Sequence, residues 1–339
     1  MAFYNASLSS GGSGGSAIAC PLGKLVADGG VSESTLPYTF SYGCAVVYDD
    51  EIHILGTSNS PYNKHYKWNG SSWESVSTLP YNFYNGSAVV YNNEIHIFGS
   101  DNSNYYTNHY KWNGSSWSSV STLPYQFYGG SAVVYNNEIH ILGSASSSYH
   151  RYHYKWNGTS WSSVSTMPYG FNAGCTVIYN NEIHILGGID ANGGNYRNWH
   201  YIWNGSSWNE GKSLPYNLIT GCAVIYNDKI HILGGDYDSS SNKYHYKFNG
   251  SSWENVSILP YNFYAGSAVV YKNFIHILGS RGGNTNHYSL KSGTFLIGYA
   301  KKDTEIYYPI SSTSITDNLQ ATTDGYKVTE DGKVEIMNL

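Results

Sequence analysis

Thirteen histidines in a chain of 339 residues invite a metal site or an acid–base pair. Twelve of them occupy two recurring places. One is the centre of Ile-His-Ile, at His53, His96, His140, His184, His231 and His276; the other opens a His-Tyr motif, at His65, His109, His153, His200, His245 and His287. A metal needs several ligands converging on one ion, whereas residues copied at one repeat position sit on separate structural units and form a ring. The expectation is packing and hydrogen bonding within each unit. A neutral buried imidazole of this kind would have to charge below about pH 6.

The other reactive side chains read the same way. Cys44, Cys175 and Cys222 stand where other copies carry Ser87, Ser131 and Ser267, so small buried strand residues are expected, with neither a disulfide framework nor a nucleophile–base pair. Cys20 lies apart, near the N-terminus. Tryptophan pairs at 68/73, 112/117, 156/161 and 203/208 suggest sugar stacking, yet each pair flanks a turn and is expected to pack between units. Asn69, Asn113, Asn157, Asn204 and Asn249 begin formal glycosylation triplets, and each is also the Asn of an Asn-Gly or equivalent turn. Gly193-Gly194 and Gly282-Gly283 open no helix, which excludes a phosphate-binding loop.

The elements that carry these residues repeat. Leu-Pro-Tyr or Met-Pro-Tyr places Pro at 37, 80, 124, 168, 215 and 260, in steps of 43, 44, 44, 47 and 45 residues. One unit reads GSAVVYNNEIHIFGS, a variable loop, then NHYKWNGSSWSSVSTLPYQFYG. Its apolar β-branched run, Asn-rich turn, second apolar run and Asn-Gly hairpin give four short antiparallel strands. Four strands repeated on this period predict an all-β propeller of six four-stranded antiparallel blades, beginning near 43, 86, 130, 174, 221 and 266.

The pattern resembles the kelch repeat over roughly residues 30 to 298: a small-residue and valine strand, a second strand ending in glycine, and a spaced aromatic pair before the fourth strand. It departs from that family in keeping the double glycine only at Gly187-Gly188 and Gly234-Gly235, and in a His at the strand-two aromatic position. The expected organisation is a flexible arm over 1–29, the kelch-type propeller over 30–300, and a small β appendage over 301–339 for docking or oligomerisation. The appendage holds 11 charged residues of 39, and its YKVTEDGKVEI reads as a hairpin turning at Asp331-Gly332. Two routes could close the ring: residues 287–300 as the third and fourth strands of the sixth blade, or VSEST at 31–35 as the outer strand.

Charged residues are 12% of the chain and the net charge is −5, which excludes a nucleic-acid phosphate backbone as partner. The N-terminus lacks the basic and apolar regions of a signal peptide, SSGGSGGS reads as a flexible linker, and no apolar run is long enough for membrane insertion.

Function is expected where the copies disagree. The loop between the second and third strands differs in every unit and holds all three arginines. Candidate ligand-binding residues are Tyr62, Tyr105, Tyr106, Tyr149, Arg151, Arg197, Trp199, Asp236, Tyr237 and Arg281. Tyr, Asn, Ser and Gly with occasional Arg or Trp make adaptable binding surfaces. The expectation is a non-enzymatic recognition module with no catalytic residue, metal or cofactor. It would bind a host-surface glycan or protein through this loop face. Low charge, simple repeats and a charged β tail resemble phage virion, tail-associated and bacterial surface proteins, so a virion or cell-surface location after cytoplasmic synthesis is expected. Other virion subunits would be contacted through the arm and tail. A purely structural virion decoration or connector is the alternative. A sugar-acting enzyme of the mutarotase or oxidase type is a further one, which the kelch resemblance allows.

Overall fold

The structure is a computed structural model that describes residues 30–100, 106–146, 150–190, 195–235 and 242–290, together with four strands between 300 and 337. The arm expected over 1–29 lies outside the described residues.

Each unit folds as an up-and-down sheet, as its sequence pattern requires. In the second, Ser87–Tyr91 pairs antiparallel with Glu94–Phe98, which pairs with His109–Trp112, which pairs with Trp117–Ser119. The first hairpin turns at Asn92 and Asn93, both with positive φ (49° and 58°), a two-residue turn that Asn tolerates better than most residues. The outer hairpin turns on Asn113, whose Oδ1 accepts the backbone N–H of Ser115 at 3.0 Å and of Ser116 at 2.9 Å. The same carbonyl geometry recurs at Asn69, Asn157, Asn204 and Asn249, so these asparagines serve the turn.

Six blades stand around an axis with their first strands innermost, as the repeat count predicts. The N-terminal segment closes the ring: Val31–Ser32 is the outer strand of the sixth blade, with Val31 opposite Ser289 and Ser32 opposite Tyr288. Glu33 fastens this seam by donating its N–H to the His287 carbonyl at 2.8 Å and accepting the Ser289 hydroxyl at 2.6 Å. Of the two routes open from sequence, VSEST is therefore the one used.

Apolar burial lies between blades. Val46 and Tyr48 of the first blade pack with Ile95, Ile97 and Trp112 of the second, over Leu79, Tyr81 and Phe83 of the connecting loop. Equivalent clusters fill the other five junctions. The loop tyrosine of each Leu-Pro-Tyr is tied down as well, from Tyr38 Oη donating to the Gly56 carbonyl at 3.2 Å through to Tyr261 donating to Gly279 at 2.9 Å. Gly56 must be glycine: its φ is +69° and a Cβ there would collide with the Phe83 carbonyl.

A second compact unit contains a four-stranded antiparallel sheet of Ala300–Lys302, Glu305–Pro309, Gly325–Val328 and Val334–Met337. Val328 pairs with Val334, and the turn expected at Asp331-Gly332 between them lies outside the described residues.

Candidate functional site

The histidines resolve first. Strand register brings the two repeat positions of each blade together, so that His53 Nδ1 and His65 Nε2 are 2.8 Å apart and share one hydrogen bond. All six blades build this pair, the separation staying between 2.7 Å in the third blade and 2.9 Å in the sixth. Each pair is shut between blades; His65, for example, meets the edge of Trp112 and Trp117 from the next blade. Burial holds the strand-two imidazoles down to about 4 at His53, His96, His140, His184 and His231. It holds His65, His109, His153, His245 and His287 down to about 3, and His200 to about 4. These are neutral packing groups, one pair per blade. Among the described residues no three His, Cys, Asp or Glu side chains group to hold a metal ion.

The cysteines are part of a second ring of contacts, nearer the axis. Cys44 Sγ donates to the Gly86 carbonyl at 3.4 Å, Cys175 to Gly221 at 3.2 Å and Cys222 to Gly266 at 3.4 Å, each on the next blade. Where Ser replaces Cys, Ser87 Oγ accepts the Ala132 N–H and Ser267 Oγ the Ala45 N–H, both at 3.0 Å, while Ser131 meets Thr176 Oγ1 at 2.7 Å. One strand-one side chain thus bridges every junction. Burial pushes the Cys44 and Cys175 thiols up to about 12, far from nucleophilic thiolates.

The axis itself ends in backbone. Tyr42, Asn85, Gly129, Ala173, Thr220 and Ala265 close the fourth-to-first-strand loops, all with positive φ between 50° and 66°. Their peptides bond head to tail: Asn85 N–H to Tyr42 O, Gly129 to Asn85, Ala173 to Gly129, Thr220 to Ala173, Ala265 to Thr220, and Tyr42 back to Ala265, at 2.6–2.7 Å. This closed circle of six hydrogen bonds, flanked by Gly43 and its five counterparts, borders a cavity of about 110 Å³. Among the described residues no carboxylate, imidazole or ammonium group lines it.

The variable strand-two-to-three loops and the strand-four-to-one loops share one face, as bonds such as Ser58 N–H to Ser41 O (2.9 Å) and Arg281 N–H to Tyr264 O (2.8 Å) require. Tyr62 lies against Tyr84 with ring centroids 5.5 Å apart, and Tyr106 stacks on Tyr128 at 4.7 Å. Arg197 Nη2 pairs with Asp190 Oδ2 at 3.0 Å, and its guanidinium covers the Trp199 ring at 4.2 Å. Trp199 meets the edge of Tyr169. Arg151 is exposed, and its Nε donates to the Met167 carbonyl at 2.8 Å. Arg281 is exposed beside Tyr264, 6.0 Å from the ring centroid. Tyr105, Tyr149, Asp236 and Tyr237 lie outside the described residues.

The structure therefore joins Arg197, Trp199 and Asp190 into one group and leaves the remaining described candidates on different blades. It also adds residues that loop variability did not single out. Tyr84, Tyr128 and Tyr264 occupy the sixth place of the segment beginning Leu-Pro-Tyr, where other copies carry Ser41, Asn172 and Ile219. That variation within an otherwise repeated segment was the available signal.

No family model and no curated protein matches the chain. Among solved structures the chain is similar to that of YjhT, with a TM-score of 0.64 at 16% identity, covering 81% of this chain and 98% of the other. At that identity the likeness shows the fold: an all-β, six-bladed propeller.

Proposed function

We propose that the chain is a recognition module whose strand-two-to-three and strand-four-to-one loop face binds a host-surface glycan or protein, with no catalytic step of its own. One observation carries this reading. The scaffold is copied blade by blade down to single hydrogen bonds, while diversity gathers on one face. The opposite face repeats even its ion pairs, Lys67–Glu51 and Lys111–Glu94 at 2.9 Å and Lys155–Glu138 at 2.8 Å. On the loop face the same relaxed positions carry Tyr, Trp, Arg and Asn, side chains that bring contact area and adaptable hydrogen bonds at low entropic cost. Loops held on a rigid frame are where binding groups accumulate.

The low charge and repeated Asn, Tyr and Ser support a chain displayed on a virion or a cell surface, with glycan as the favoured ligand. The test replaces Arg151, Arg197, Trp199 and Arg281 together by Ala. Host-cell or glycan-array binding should fall at least about tenfold, roughly 1.4 kcal/mol. Unchanged binding would remove this face as the recognition surface.

A further inference from the structure

The outer hairpins of the first five blades each turn on Asn-Gly, at Asn69, Asn113, Asn157, Asn204 and Asn249, and all five asparagines are exposed. In this dipeptide the glycine nitrogen, unhindered by a side chain, can attack the amide carbon of the preceding Asn and close a cyclic imide. The turn aims donors at the oxygen on which negative charge develops in that step. Asn113 Oδ1 accepts the Ser115 N–H at 3.0 Å, the Ser116 N–H at 2.9 Å and the Ser115 hydroxyl at 2.9 Å. The same three donors meet the oxygen of the other four asparagines, all at 2.9–3.0 Å. Donors already in place around a developing oxyanion lower the barrier to forming it.

The leaving side of the amide divides the five. Asn69 Nδ2 donates to Ser72 Oγ and Glu74 Oε1, both at 3.3 Å. Asn249 Nδ2 donates to Ser252 Oγ at 3.1 Å and Glu254 Oε1 at 2.6 Å. A carboxylate at that place holds the amide still and opposes the negative charge of the addition step. It also has no proton to give to departing ammonia. In the second, third and fourth blades the corresponding residues are Ser118, Ser162 and Asn209. Among the described residues no acceptor bonds the Nδ2 of Asn113, Asn157 or Asn204. These three combine an activated carbonyl with an unanchored leaving group.

We infer that Asn113, Asn157 and Asn204 are sites of spontaneous deamidation, and that Asn69 and Asn249 are protected copies of the same turn. The bond from the glycine nitrogen to Asn Cγ forms, the Cγ–Nδ2 bond breaks, and the amide leaves as ammonia with the proton that the glycine nitrogen gives up. Water then opens the imide to Asp or to isoaspartate. Asp keeps an oxygen for the three donors, so the turn survives with one more negative charge, whereas isoaspartate lengthens the main chain and breaks it. The modification falls on the face opposite the proposed recognition surface and does not depend on that reading.

The test incubates the full chain, native and in denaturant, in mildly alkaline buffer and follows each Asn-Gly peptide by mass spectrometry. In denaturant the five hairpin sites should convert alike, because their neighbours in sequence are nearly identical. In the native protein Asn113, Asn157 and Asn204 should convert at least about fivefold faster than Asn69 and Asn249. Asn85-Gly86, at the axis and with no described donor on its side-chain oxygen, should stay with the slow group. Two exposed substitutions exchange the blades' roles with the melting temperature unchanged. Glu254→Ser should raise Asn249 to the rate of Asn113, and Ser118→Glu should slow Asn113 at least about fivefold. Equal native rates at all five hairpins, or rates that ignore both substitutions, would overturn the inference. So would native conversion at Asn113, Asn157 and Asn204 more than about tenfold slower than in denaturant.

Discussion

Lowering the pH should unfold the propeller abruptly, because burying six histidine pairs makes the native state a poor base. An unfolded His titrates near 6.5, whereas the buried imidazoles sit at about 3 to 4. The unfolded chain then binds more protons than the native one between those limits, so stability rises with pH across the window. It is fully present above about 6.5 and is lost as pH falls below that value. At pH 5.5 each such group costs the native state about 1.4 kcal/mol, from RT ln(1 + 10). The eleven histidines held at about 3 or 4 together cost about 15 kcal/mol, and His276, lowered in the same direction, adds to it. A whole domain is stable by about 5–15 kcal/mol, so the native state should fail between about pH 5 and 6. Circular dichroism against pH, with denaturant midpoints at several pH values, measures both the midpoint and the proton uptake. The expected uptake on unfolding at pH 5.5 approaches eleven protons, about one per buried imidazole. Replacing His96 and His109 by Gln should lower the uptake by about two. An acid midpoint below about pH 4, or an uptake of fewer than about three protons, would refute the reasoning.

Two further outcomes follow from the geometry. With Cys20 replaced by Ser, native protein should show no thiol reactive to a disulfide reagent at pH 8, and three after denaturation. Cys44, Cys175 and Cys222 are bonded to carbonyls of the next blade, and burial raises all three thiols. Glu33→Ala should lower thermal stability by about 1–2 kcal/mol through loss of its bond to Ser289, and Val31→Pro should cost more by breaking the closing strand, both read by calorimetry.

Much of the architecture is legible in the chain because its cause is local. The Asn-Asn and Asn-Gly turns, the β-branched runs and the six Leu-Pro-Tyr beats specify hairpins whose register follows from neighbours a few residues away. The same beats place the histidines and tryptophans at repeated positions, and repetition alone argues that they are scaffold. The sequence also shows which loops vary. It does not show what the variation builds, because that depends on residues distant in the chain and on the space between them.

Three features belong to the tertiary structure. Ring closure joins Glu33 to Ser289, 256 positions apart, and only the assembled ring exposes the strand edge that Val31–Ser32 completes. The His53–His65 pairing is fixed by the register between the second and third strands, across a loop of changing length. The circle of six peptide hydrogen bonds at the axis joins Tyr42, Asn85, Gly129, Ala173, Thr220 and Ala265, which come from six separate loops and meet only when the ring is closed. Local composition determines which strands form and that they repeat. The volume left between repeats is set by how the blades pack, and that volume decides where a ligand could sit.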